Sequence, residues 1–151
     1  MRWRRWVPGS KHGMSRGMVV WGDTQGLGPD QLNEVLGRCE GLDSWARMRG
    51  FVLSGIPQDL ELLDQAIDER PVGEFNAPGA LPEGEVGLFL GAVIIASLWG
   101  ARWRLWRNGH PVIHLASGRD LDVVAMGSAR LSKGAPRLID AFADAVAGPR
   151  P

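Results

Sequence analysis

Two histidines, His110 and His114, stand four residues apart. On a helix that spacing would set two imidazoles side by side, as a zinc site requires. The intervening Pro111, Val112 and Ile113 argue for a strand instead, and four strand residues span roughly 13 Å, too far for both rings to reach one ion unaided. With a single cysteine and no third well-placed histidine, no metal is expected, and His114 reads as a hydrogen-bonded core residue. Cys39 has no neighbouring base to make it a nucleophile and falls on an apolar helical stripe, which favours packing. Ser54, Ser117 and Ser128 lie beside glycines, yet no nucleophile elbow, P-loop or dinucleotide fingerprint is present. Glu61, Asp64 and Asp68 share a helical face, a pattern that usually marks a solvated surface. No catalytic residue and no cofactor is therefore expected.

Tryptophan and arginine are the remaining chemistry-bearing residues. Trp3-Arg4-Arg5-Trp6 has the composition of a base-stacking or anionic-membrane segment, but a tail without regular structure explains it more simply, so nucleic acid is not a leading partner. Trp99, Trp103 and Trp106 form a second group on a strand-like stretch, where alternate side chains face opposite ways.

These residues must be positioned by a chain of 151 residues, enough for one domain that buries roughly 70% of its unfolded surface. Seventeen basic and seventeen acidic residues cancel, which argues against a general polyanion binder. The charges are nonetheless uneven, because residues 51–90 carry eight acids and only Arg70 as a base. The lone cysteine and the absence of an apolar leader point to the cytoplasm.

Residues 1–27 show no period and are left as a flexible Arg/Trp/Gly-rich segment, with a single domain over 28–148. A helix begins at Gly28-Pro29-Asp30 and runs through Leu32, Val35, Leu36, Cys39 and Leu42 to Gly50. Pro57-Gln58-Asp59 opens a second helix with Leu60, Leu63 and Ile67 inside. Pro71 to Pro82 is a loop. Val86 to Trp99 is a third, buried helix, headed by Glu83 and Glu85 and too short to span a membrane. Three strands follow, over Ala101–Arg107, His110–Ala116 and Arg119–Met126, and a C-terminal helical region buries Leu138, Ile139, Phe142 and Val146. The fold expected is α+β, with the three strands forming an antiparallel meander.

The run Gly87-Leu88-Phe89-Leu90-Gly91, Trp103, Asn108-Gly109-His110-Pro111-Val112, Leu115-Ala116-Ser117-Gly118-Arg119 and Asp122-Val123 resembles a small uncharacterised family from high-GC Gram-positive bacteria. The similarity is strong over residues 83–147, weaker over 31–69, and leaves out the Trp-rich N-terminus. It implies the fold and assigns no activity.

Two-residue turns at Asn108-Gly109 and Ser117-Gly118 would pair Trp103 with His114 and His114 with Leu121. One sheet face would then hold Trp103, Leu105, Val112, His114, Leu121 and Val123 against the helices. The other would present Arg102, Arg104, Trp106, Ile113, Leu115, Asp120 and Asp122, an apolar strip edged by charge and suited to contact with another protein or a second copy of the chain. A non-enzymatic protein-binding or regulatory module is the resulting expectation. The competing expectation is a small-molecule-binding protein or unusual enzyme whose pocket contains Trp103 and His114.

Overall fold

The computed structural model describes residues 26–70, 79–132 and 135–148. The expectations for residues 1–25 and for the loop over 71–78 lie outside the described residues. Six helices and three strands are present among those described: α1 (Pro29–Leu36), α2 (Glu40–Met48), α3 (Pro57–Glu69), α4 (Glu83–Ser97), β1 (Arg102–Leu105), β2 (Pro111–His114), β3 (Asp120–Leu121), α5 (Val123–Arg130) and α6 (Leu138–Ala147). The architecture is α+β, with strands ordered β1-β2-β3 and both pairings antiparallel. No helix of the described residues is long and apolar enough to cross a membrane.

α4 is the centre of the domain. It is apolar on all sides, so it can bury every face only if other elements surround it, and it packs against α1, α2, α3, α5, α6, β1 and β2. Val86, Leu90, Val93 and Ile94 are fully buried along it. Glycine sets how closely its neighbours approach. A Cβ on Gly87 would overlap the Val123 carbonyl and the backbone of Val124, and one on Gly127 of α5 would overlap the backbone of Gly87 itself. The α4 and α5 backbones thus touch directly. One turn further along, a Cβ on Gly91 would run into the Trp103 ring.

The first helix differs from expectation. It divides into α1 and α2, because Cys39 adopts a left-handed conformation with φ of 46°, a costly choice for a non-glycine residue. The start of α2 has no local side-chain cap. Glu85 supplies one from α4, its Oε1 accepting the Leu42 N–H at 2.8 Å. Burial pushes the Glu85 carboxyl up, and the Leu42 and Gly41 amides work against that shift. The Cys39 thiol is buried as expected. Among the described residues it donates to the Leu36 and Glu85 carbonyls, and burial raises its pKa strongly, which leaves it a packing residue.

The second helix starts at Pro57 as expected, but its acids are not a solvated face. Asp59 is buried, and its Oδ2 accepts from the backbone N–H groups of Ser54, Gly55 and Ile56. Asp64 has no solvent exposure and binds Arg130. Glu61 and Asp68 do remain exposed.

The third strand is also shorter than expected. Asp122 ends it by capping α5, its Oδ1 accepting from the Ala125 N–H at 3.1 Å. Val123 to Met126 therefore turn as a helix. In α6, Leu138 is buried and Ile139 and Phe142 pack against the core, whereas Val146 is 46% exposed.

The glycine contacts lead to a paired expectation. Replacing Gly87 or Gly127 by Ala should cost about 3 kcal/mol or more, since neither backbone can retreat without separating α4 from α5. Replacing Gly84, which has nothing within 4 Å of its would-be Cβ, should leave stability unchanged or raise it by up to about 1 kcal/mol. Denaturant unfolding of the three variants checks both.

Candidate functional site

Register decides which side chains share a face of the sheet. Trp106 N–H bonds to the His110 carbonyl while Gly109 N–H bonds back to the Trp106 carbonyl. The loop is therefore Arg107-Asn108-Gly109, three residues with Gly109 at φ of 86°. The second hairpin repeats the device: Leu115 bonds to Arg119, Gly118 bonds back to Leu115, and Gly118 has φ of 94°. Each is a turn closed by a left-handed glycine, one residue longer than the two-residue turns anticipated.

That extra residue moves both pairings by one. Trp103 lies opposite Ile113 and Arg102 opposite His114 on one side, and Ile113 lies opposite Leu121 and His114 opposite Asp120 on the other. A one-residue shift exchanges the faces of a strand, and here it exchanges those of β2 relative to its neighbours. Ile113 and Leu115 are core residues with almost no exposure, not members of an outer strip. His114 turns outward and is not in the core. Trp103 stays inside, where its indole Nε1 donates to Asn33 Oδ1 at 3.1 Å. Trp103 and His114 consequently stand on opposite faces and line no common pocket.

The outer face brings together Arg102, Arg104, Trp106, His110, His114, Asp120 and Asp122, with Val112 fully buried among the strand residues. Asp120 organises one half. Its Oδ1 lies 2.7 Å from His114 Nδ1, its Oδ2 accepts the Trp106 indole N–H at 3.0 Å, and Arg104 Nη1 stands 3.8 Å from Oδ2. The His114 and Trp106 hydrogen bonds hold the Asp120 carboxyl below its usual range, with the charge of Arg104 assisting. An ionised carboxylate only accepts, so His114 Nδ1 carries the proton. The 3.5 Å approach of Arg104 Nη1 to the same nitrogen then sets two donors together and adds little.

Asp122 organises the other half. Its Oδ1 lies 2.7 Å from His110 Nε2 and also caps α5. The His110 ring is tilted over Trp106 with centroids 5.5 Å apart. The two histidines thus hold two different carboxylates, and no group of three or more His, Cys, Asp or Glu among the described residues is placed to hold a metal ion.

An imidazole whose Nδ1 is fixed by a carboxylate has the form of an oriented base. Among the described residues the hydrogen-bond partner of His114 is Asp120, with Arg104 standing beside the same nitrogen. Trp106 is 41% exposed yet fixed at its nitrogen, and Arg102 and Arg107 are exposed without an ion pair among the described residues.

Sequence reasoning selected five of these residues and missed His110 as a partner of Asp122, because it placed Asp122 within a strand and not at a helix cap. It also missed a groove of about 360 Å³ between the end of α2 and α3, lined by Arg49, Phe51, Leu62, Ala66 and Arg70 among others. No local motif signals that groove, since its walls come from separate segments.

The Asp120 bonds carry a pH dependence of definite sign. A depressed carboxylate pKa adds stability above the ordinary value of 3.8 and loses it as pH falls through the lowered one. Wild type should therefore be more stable than Asp120→Asn at neutral pH, with the difference closing as pH falls below the ordinary carboxylate value of 3.8. Urea unfolding across that range measures it, and a difference that does not change with pH would contradict the assignment.

No curated protein and no solved structure matches the chain. A family model matches residues 3–148, and so takes in the Trp- and Arg-rich N-terminal stretch that the resemblance left out. With nearly its whole length covered, the chain belongs to the family of unknown function DUF6278.

Proposed function

We propose that this domain is a non-enzymatic module that binds another protein, or a second copy of itself, through the outer face of its sheet. One observation carries the reading: Trp106 is exposed but held rigid by its bond to Asp120, beside the exposed Arg102, Arg104 and Arg107. Aromatic and arginine side chains dominate binding energy at protein contacts, and anchors already fixed before contact lose less freedom on binding. Asp120 and Asp122 serve by ordering the aromatic and the imidazoles. Ile113 and Leu115, as core residues, have no part in the surface. The reading based on a pocket containing Trp103 and His114 loses its basis with those residues on opposite faces.

The lone cysteine supports a cytoplasmic setting. The scarcity of lysine, two of seventeen bases, supports a high-GC bacterial source.

The test combines capture and stability. Arg102→Ser/Arg104→Ser and Trp106→Ala should each weaken partner capture or self-association by about thirtyfold, the equivalent of ~2 kcal/mol, while the double arginine variant keeps its melting temperature within about 4 °C of wild type. Sedimentation and affinity capture with mass spectrometry supply the binding readout. Unchanged binding in the double arginine variant would remove this face as the contact.

A further inference from the structure

We propose that the groove between the end of α2 and α3 is a binding site for a small monocarboxylate with an apolar tail. This inference concerns a different surface from the sheet face and is independent of the role assigned there.

The groove has the size and mixed chemistry of small-molecule sites, at about 360 Å³. Phe51, Leu62 and Ala66 form its apolar lining, and Leu62 is 45% exposed. Met48, Val52 and Ile56, from the same stretch of chain, are exposed as well, at 74%, 53% and 48%. Two arginines stand at this groove. The Arg49 guanidinium is stacked 4.1 Å over the Trp45 ring, so its position is set by the core.

Arg70 is the informative residue. Its Nη1 is sealed from solvent and has no acceptor among the described residues, where its Nη2 makes a 3.5 Å contact with the Leu131 carbonyl. A guanidinium has five N–H donors and a fixed fork that matches a carboxylate. Leaving such donors unmet in a buried position is costly, so the side chain is short of an acceptor. Glu69 also lines the groove, but the Gln65 side-chain amide donates to its carboxylate at 3.1 Å, and Arg70 forms no ion pair with it. Seating an external carboxylate requires the guanidinium to turn toward the groove, giving up the long Nη2 contact with the Leu131 carbonyl and bringing Nη1, sealed in this structure, to the ligand, whose tail then lies along Phe51, Leu62 and Ala66. The charge complement of the site is thus a single negative group at the Arg70 end and an apolar body elsewhere.

Octanoate, octanol and octylamine separate the contributions of charge and tail. In a nitrogen-15 NMR titration of the full chain, octanoate should give saturable shifts centred on Phe51, Leu62, Ala66 and Arg70. Octanol should bind about tenfold more weakly, and octylamine more weakly still. Arg70→Met, which keeps an apolar stem, should abolish the preference for octanoate over octanol. Ala66→Phe, which fills the groove, should block both ligands, and Arg104→Gln on the sheet face should change neither. Absence of saturable shifts in the wild type, equal binding of octanoate and octanol, or a preference that survives in folded Arg70→Met would each overturn the proposal. The wild-type comparison decides the matter even if a variant fails to fold.

Discussion

One buried ion pair holds the domain together where its helices meet. Arg130 of α5 donates from Nε to Asp64 Oδ1 at 2.6 Å, and from Nη2 to the Asp64 carbonyl and to Asp68. The same Asp64 carboxylate accepts the Leu138 and Ile139 N–H groups at 2.9 and 3.1 Å, capping α6, whose own N-terminal residue provides no cap. Three helices therefore converge on a carboxylate with no solvent exposure. Removing a charge from water costs several kcal/mol, and only near-complete hydrogen bonding can offset it. Both oxygens of Asp64 are engaged, so the offset is present. The geometry tolerates little displacement of α3, α5 or α6.

The sheet depends on that frame. α5 crosses α4 at the Gly87–Gly127 contact, and the Asp122 cap that begins α5 also receives His110. The outer face is therefore joined to the helical core through the first turn of α5. The two three-residue hairpins then determine which side chains that face displays. Carboxylates recur as the fastening device: Asp59, Asp64, Glu85 and Asp122 each accept backbone amides at or beside a helix start. A helix N-terminus leaves N–H groups unmet, and negative charge is favourable there.

Much of this was legible in the residues. The starts at Pro29 and Pro57, the all-apolar α4 with acids at its head, and the two hairpins ahead of a C-terminal helix all follow from local chemistry. Four things were not. The start of α5 at Val123 depends on Asp122 capping a helix where alternation suggested a continuing strand. The break at Cys39 depends on Glu85, 46 residues away, supplying the cap that α2 lacks locally. The sheet register depends on whether Asn108-Gly109 and Ser117-Gly118 form the whole turn or its last two positions, and both choices suit a glycine at positive φ. The burial of Asp64 depends on Arg130, 66 residues distant, and a lone acid on a helix gives no sign of a partner. Of the candidate surface, Arg102, Arg104, Trp106, Asp120 and Asp122 were identified from sequence. Ile113 and Leu115 were misplaced by the register alone.

The claim that Asp64 and Arg130 hold the frame is tested most directly by a double-mutant cycle with Asp64→Leu, Arg130→Met and both together, measured by denaturant unfolding. Each single change should cost about 3–5 kcal/mol, because it strands a buried charge. The double variant should be less damaged than the singles summed, with a coupling of at least about 2 kcal/mol. It should still fall short of wild type by about 1–2 kcal/mol, because the α6 amides lose their cap. Single variants within about 1 kcal/mol of wild type, or strictly additive effects, would contradict the account.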